Sequence, residues 1–165
     1  MYPLLDFSAC ACEEEMVELA YQQFKQDFIN TPLYLANRFY TDPLQPSGCP
    51  NQKEQVFWHL ITRRNKENKR VFDLERARRI GWIKQIILDY AKPHVKLFYY
   101  LDKKIRLYLW LYDFDFVVIL QKAHKGEAIF LVTGFYIDKN DNKKTYEDRY
   151  KAYNDDPKLK NCAWF

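Results

Sequence analysis

The chain lacks the patterns that would make it a disulfide scaffold, a zinc module or a membrane span. Its four cysteines are poorly placed for either job: Cys10 and Cys12 form a lone Cys-x-Cys, while Cys49 and Cys162 stand apart. No second Cys or His pair at ligand spacing accompanies them, so no metal is expected. The spacing is not that of a disulfide framework, and the thiols read as reduced, in a cytoplasmic setting. No charged region followed by an apolar stretch opens the chain, so no signal peptide is expected. No apolar run approaches the roughly 18 residues that mark a spanning helix, so no membrane partner is expected. Repeats, low-complexity tracts and linkers are absent too. The reading is one domain, 1–165, with 1–50 as a helical extension, 51–153 as the core and 154–165 as a loose tail.

What is present is aromatic and basic. Thirteen Tyr, twelve Phe and four Trp among 165 residues, with 48% hydrophobic residues, argue for a folded globule. Most rings belong in the core; a surplus of Tyr and Trp can also stack on bases. The charge is concentrated. Residues 53–84 hold ten Lys/Arg against four acids, a balance of +6, while the whole chain carries +4. Residues 1–52 balance to −5 and residues 85–165 to +3. A basic middle favours an anionic ligand, and nucleic acid is the commonest. An acidic head is either surface patterning or a cover for that middle.

Residues 13–29 carry Val17, Ala20, Tyr21, Phe24 and Phe28 at helical spacing, with three glutamates in the first turn. Leu33–Tyr40 suits a short strand, and Asp42–Pro50 a loop. Lys53–Thr62 fits helix or strand; periodicity does not decide. Arg63–Arg70 reads as an exposed loop. Asp73 is a good N-cap for a helix reaching about Tyr90, with Gly81 in its middle as a kink or a close approach. Four strands follow, at 96–101, 105–112, 116–122 and 128–137, joined by short turns. In the second, Ile105, Leu107, Leu109 and Leu111 alternate with Arg106, Tyr108, Trp110 and Tyr112. A last helix at 145–153 shows Tyr146, Tyr150 and Tyr153 on one side. The expected class is α+β, with N-terminal helices packed on a four-stranded antiparallel meander.

Metal-free RNA cleavage needs a base for the 2′-hydroxyl, an acid for the leaving oxygen, and cations or donors for the phosphate. His59, inside the basic segment, is the best proton carrier; its plain alternative is a hydrogen-bonded core histidine beside Trp58. His94 and His124 have no such surroundings. Arg76 and Arg79 share a helical face, with Lys84 a turn further on, and paired cations can grip a phosphate. Arg63 and Arg64 follow His59 closely. Trp110, with its basic and aromatic neighbours, either holds bases or packs beneath the N-terminal helix. Thr133 and Tyr136 are hydroxyls on an apolar strand. Simple alternation puts Thr133 on a face with Leu131 and Phe135, and Tyr136 on the other, unless Gly134 is a bulge.

Three blocks, FWHLITRR (57–64), FDLERARRIGWIKQII (72–87) and DFDFVVILQK…IFLVTGFYID (113–138), make residues 55–140 resemble the barnase/EndoU/colicin/RelE-like (BECR) ribonuclease superfamily, in its phage and mobile-element branch. The resemblance implies a BECR/RelE-like fold and a metal-independent, toxin-like endoribonuclease that needs no cofactor. It implies catalytic roles at His59, Arg79, Thr133 and Tyr136. Arg63, Arg76, Lys84 and Trp110 are the companion substrate-binding candidates. The partner would be RNA, with an antitoxin or immunity protein to neutralise the activity, in the cytoplasm or after delivery into a target cell. A second reading is a non-catalytic nucleic-acid- or protein-binding module of the same fold. A third is a regulatory protein whose acidic head docks a basic partner.

Overall fold

A computed structural model describes residues 1–43, 53–124 and 126–165. The expected loop at 42–50 and Cys49 lie mostly or wholly outside these residues. The N-terminal helix α1 (Glu13–Phe24) runs without a break into a π-turn, Lys25–Ile29. Two short strands follow, β1 (Tyr34–Leu35) and β2 (Phe39–Asp42), turning at Ala36 and Asn37, both at φ 53°. Next come α2 (Gln55–Ile61), the hairpin β3 (Thr62–Arg64) and β4 (Arg70–Phe72), and the helices α3 (Leu74–Ala77) and α4 (Ile80–Leu88). The long strands are β5 (Val95–Asp102), β6 (Lys104–Leu111), β7 (Phe116–Lys122) and β8 (Ala128–Tyr136). The chain closes with α5 (Asn140–Asp155) and α6 (Pro157–Lys160).

The fold is α+β, but the main sheet is not a four-stranded antiparallel meander. It has six strands in the order β1-β2-β8-β7-β6-β5. The meander β5–β8 is its larger part, antiparallel throughout. To it β2 adds a parallel neighbour, pairing Tyr40, Thr41 and Asp42 with Ala128, Ile129 and Phe130. Nothing local in a four-residue strand announces a parallel partner almost ninety positions away. Residues 1–43 are therefore not appended to a core but help build it: Phe24, Phe28, Leu33, Leu35 and Phe39 are all buried in the main cluster.

The two faces of the sheet are packed differently. Leu107, Leu109, Leu111, Phe116, Val118, Leu120 and Leu131 face α1, α2 and α4 in one large hydrophobic cluster. The α4 helix approaches β8 so closely that a Cβ on Gly134 would sit 2.9 Å from Ile83 Cδ1. Glycine admits that contact; any larger residue must displace the isoleucine. The opposite face carries Phe98, Tyr108, Trp110, Val117 and Ile119 beneath Tyr146, Tyr150 and Tyr153 of α5. The alternate face of β6 is thus a packed face, as one of the two readings had it. Its cover is the C-terminal α5, though, and not the N-terminal helix.

Three further local expectations change. The helix from Asp73 breaks at Arg78–Arg79, ahead of Gly81, so its two parts are α3 and α4. Asp73 does cap it, accepting from the backbone N–H of Arg76. The register slips between Ile119 and Leu120, which pair with Thr133 and Leu131. Val132 is therefore the bulged residue, not Gly134, and Thr133 faces away from Leu131. The tail is not loose: Trp164 N–H donates to the Tyr99 hydroxyl at 2.9 Å, and Phe165 packs on Tyr90 and Phe39.

Candidate anion-binding site around His59

The polar run after His59 forms a hairpin, and its turn residues explain why. The Asn65 carboxamide oxygen accepts from the N–H groups of Glu67 and Lys69, both at 3.0 Å. Asn68 takes the left-handed conformation at φ 61°, which asparagine tolerates. Arg64 then reaches the Asn68 carbonyl at 2.9 Å and its side-chain oxygen at 3.1 Å. The register that results sets Arg64 directly opposite Arg70. Like charges facing each other across a strand pair are destabilising unless something anionic takes them. Among the described residues neither arginine has a carboxylate within ion-pair distance.

Arg76 ties the hairpin to α2. Its Nη1 donates to the Thr62 carbonyl at 2.8 Å and, more weakly, to the His59 carbonyl at 3.4 Å. These are carbonyls that the C-terminus of α2 would otherwise leave open. Arg70 donates to Thr62 Oγ1 at 3.0 Å, and that hydroxyl donates in turn to the Trp58 carbonyl. Arg63 is paired with Asp73 at 3.6 Å, as is Arg76 at 3.8 Å. Four guanidinium groups thus converge on the end of α2, with Asp73 among them.

His59 stands in the last turn of α2, half-buried. Burial depresses its pKa first; the positive charges of Arg70, Arg64 and Arg76 depress it further. The imidazole is therefore neutral at pH 7 and able to take a proton. Burial and the facing Arg64 also lower Arg70. Every one of these shifts would reverse in part if an anion lay among the groups.

The other residues singled out from sequence are distributed as follows. Arg76 joins His59, whereas Arg63 projects from the other face of the hairpin to Asp73. Arg79 does not join His59 either: it donates to the Glu75 carbonyl at 2.8 Å and to the Glu75 carboxylate, with its guanidinium 5.2 Å from the Trp82 ring and 5.0 Å from the Tyr136 ring. Lys84 pairs with Asp27 of the π-turn at 3.5 Å. Tyr136 lies under Arg79 on the α4 side of β8, whereas Thr133 and Phe135 face α5. Trp110 is fully buried, with Tyr112 at 4.8 Å and Tyr146 at 6.1 Å, so its ring faces are not open to a base. Its indole N–H is buried without a hydrogen-bond partner among the described residues.

Arg70 and Arg149 gained no role from the sequence. The signal for Arg70 was a hairpin, Thr-Arg-Arg and Arg-Val-Phe flanking an asparagine-rich turn. Nothing marked Arg149, which sits mid-helix among other charges. Among the described residues no group of three or more His, Cys, Asp or Glu side chains is placed to hold a metal ion. Nor is any helix among them long and apolar enough to cross a membrane. No protein-family profile, curated protein or solved structure matches the chain.

Proposed function

We propose that this protein binds RNA at the His59 patch and cuts it without a metal ion, as a toxin-like endoribonuclease of BECR type. The observation that carries the reading is the facing pair Arg64 and Arg70, set beside a neutral imidazole. A phosphodiester between the two guanidiniums relieves their repulsion and accepts paired hydrogen bonds. His59 takes the proton of the neighbouring 2′-hydroxyl. The freed 2′-oxygen attacks phosphorus, and the bond to the 5′-oxygen breaks. That oxygen takes a proton from water, and the imidazolium of His59 gives its proton to the hydroxide so formed, which restores the neutral ring. The products are a 2′,3′-cyclic phosphate and a 5′-hydroxyl. Arg76 stabilises the charge on the non-bridging oxygens, and Arg63 helps hold Asp73 beside it. Arg79 and Lys84, which have acidic partners of their own, support the fold here, and Tyr136 is the floor beneath Arg79.

A second reading has its own support. Among the described residues the charges acting on His59 are those of arginines, with no second histidine and no carboxylate. That composition suits an RNA-binding module that holds its ligand without cutting it. One experiment separates the two. Purified protein is incubated with total RNA in EDTA, beside His59→Ala. Cleavage that depends on His59 supports the nuclease. Salt-sensitive binding without cleavage supports the module. If the protein neither binds nor cleaves, both readings fail.

A further inference from the structure

The free half of β8 borders a second cavity, on the α5 side of the sheet. Among the described residues β2 pairs only with Ala128–Phe130, so the rest of β8 has no paired strand on that edge. Arg76 lies along this stretch, its guanidinium 5.6 Å from the Phe135 ring. It therefore belongs both to the His59 patch and to the cavity beyond. The cavity has a volume of about 340 Å³ and is walled by Arg76, Phe135, Asp138, Tyr146 and Arg149.

We propose that this cavity takes a single nucleotide, its phosphate held by Arg76 and Arg149. The choice of a nucleotide over another phosphorylated ligand rests on the reading of the adjoining patch as an RNA site. The volume falls at the low end for ligand pockets, which suits one nucleotide and not a folded strand. Arg149 is held in place by rings: its guanidinium lies 4.1 Å from Tyr100, 5.3 Å from Tyr146 and 6.0 Å from Tyr108. Among the described residues it has no carboxylate within ion-pair distance. Arg76 is fixed from the other side by the Thr62 carbonyl and Asp73. Two guanidiniums, 73 positions apart, are thus preorganised on one hollow, each with donors to spare. Asp138 adds an acceptor for the hydroxyl or amino groups of a sugar or base. A bare inorganic anion would gain nothing from it, so the pocket discriminates in favour of the nucleotide.

The test is calorimetric titration of the intact chain with the four nucleoside monophosphates and with inorganic phosphate. At least one nucleotide should bind more tightly than phosphate. Arg149→Gln should weaken it about tenfold or more, the worth of a charge-assisted hydrogen bond. Arg149 also packs on three tyrosines, so Asn142→Asp gives an independent check. It adds a negative charge at the rim, in the first turn of α5, where helix geometry favours an acid. Weaker nucleotide binding in that variant supports the pocket even if Arg149→Gln unfolds. The proposal is overturned if no nucleotide binds better than phosphate, or if binding is unchanged by Asn142→Asp and by a folded Arg149→Gln. His59→Ala separates the two sites, since it should abolish cleavage and leave nucleotide binding intact. Cleavage that follows His59 while nucleotide binding ignores Arg149 sinks the pocket alone. Nucleotide binding that responds to both variants, without any cleavage, sinks the nuclease alone.

Discussion

The basic segment divides near Ala77 into two parts with opposite fates. Before it, Arg64, Arg70 and Arg76 act on one imidazole, while Arg63 shares Asp73 with Arg76. After it, the cations singled out are neutralised nearby: Arg78 and Arg79 by Glu75, Lys84 by Asp27. By charge count the second part should be the freer one, with three Lys/Arg and no acid in 78–84 against seven Lys/Arg and four acids in 53–76. What separates them is geometry. A hairpin sets like charges face to face, whereas a helix sets Glu75 one turn from Arg79. A count of charges along a chain therefore says little about how much positive potential is left for a ligand.

The sharpest way to break this comparison is kinetic. His59→Ala should lose at least about 100-fold in the initial rate of RNA cleavage, the usual scale of general acid–base catalysis. Lys84→Met should stay within about twofold of wild type. Equal losses would erase the distinction between the two parts.

Binding should show the next largest difference. Arg64→Gln with Arg70→Gln removes two phosphate contacts. The log–log dependence of RNA affinity on salt should then flatten by about 1.4, and affinity at 0.1 M salt should fall by about 25-fold. The same double change at Arg78 and Arg79 should leave the slope alone. Fluorescence titrations at several salt concentrations decide this.

Stability should move the other way. Lys84→Met leaves the nearly buried Asp27 carboxylate without its cation and should cost about 1 kcal/mol in urea unfolding. Replacing the exposed Arg64 should change the midpoint little, or raise it by relieving the repulsion from Arg70. A large destabilisation by Arg64→Gln would mean that the facing pair is structural after all.

The smallest effect is on pH dependence. The folded-state pKa of His59 is depressed, so below about 6.5 the unfolded chain binds the proton first. The stability associated with His59 is full above that value and is lost as pH falls through the folded-state pKa. His59→Gln should flatten the unfolding free energy over that window. An unchanged slope would mean that neither burial nor the arginines depress the ring's pKa.

Much of the fold could be read along the chain. The four meander strands lie within about a residue of their expected places, because alternation and turn residues are local signals. Helix 13–29 and the Asp73 cap are local as well. The parallel pairing of β2 with β8 was not legible, since it depends on an edge made elsewhere. The bulge at Val132 was hidden too: Val132 resembles its neighbours, and only the partner strand shows the slipped register. Thr133 and Tyr136 lie on opposite faces, as alternation had them; what the bulge changes is that Thr133 turns away from Leu131. Trp110 lies under a helix that begins thirty residues later.

By itself the sequence determined which segments fold, their periodicity, and the concentration of positive charge around a single histidine, because propensity and composition act over a few residues. Only the tertiary structure decided which cations keep their charge for a ligand. That depends on the acid that arrives alongside, and Coulomb interactions follow distance in space, not position in the chain.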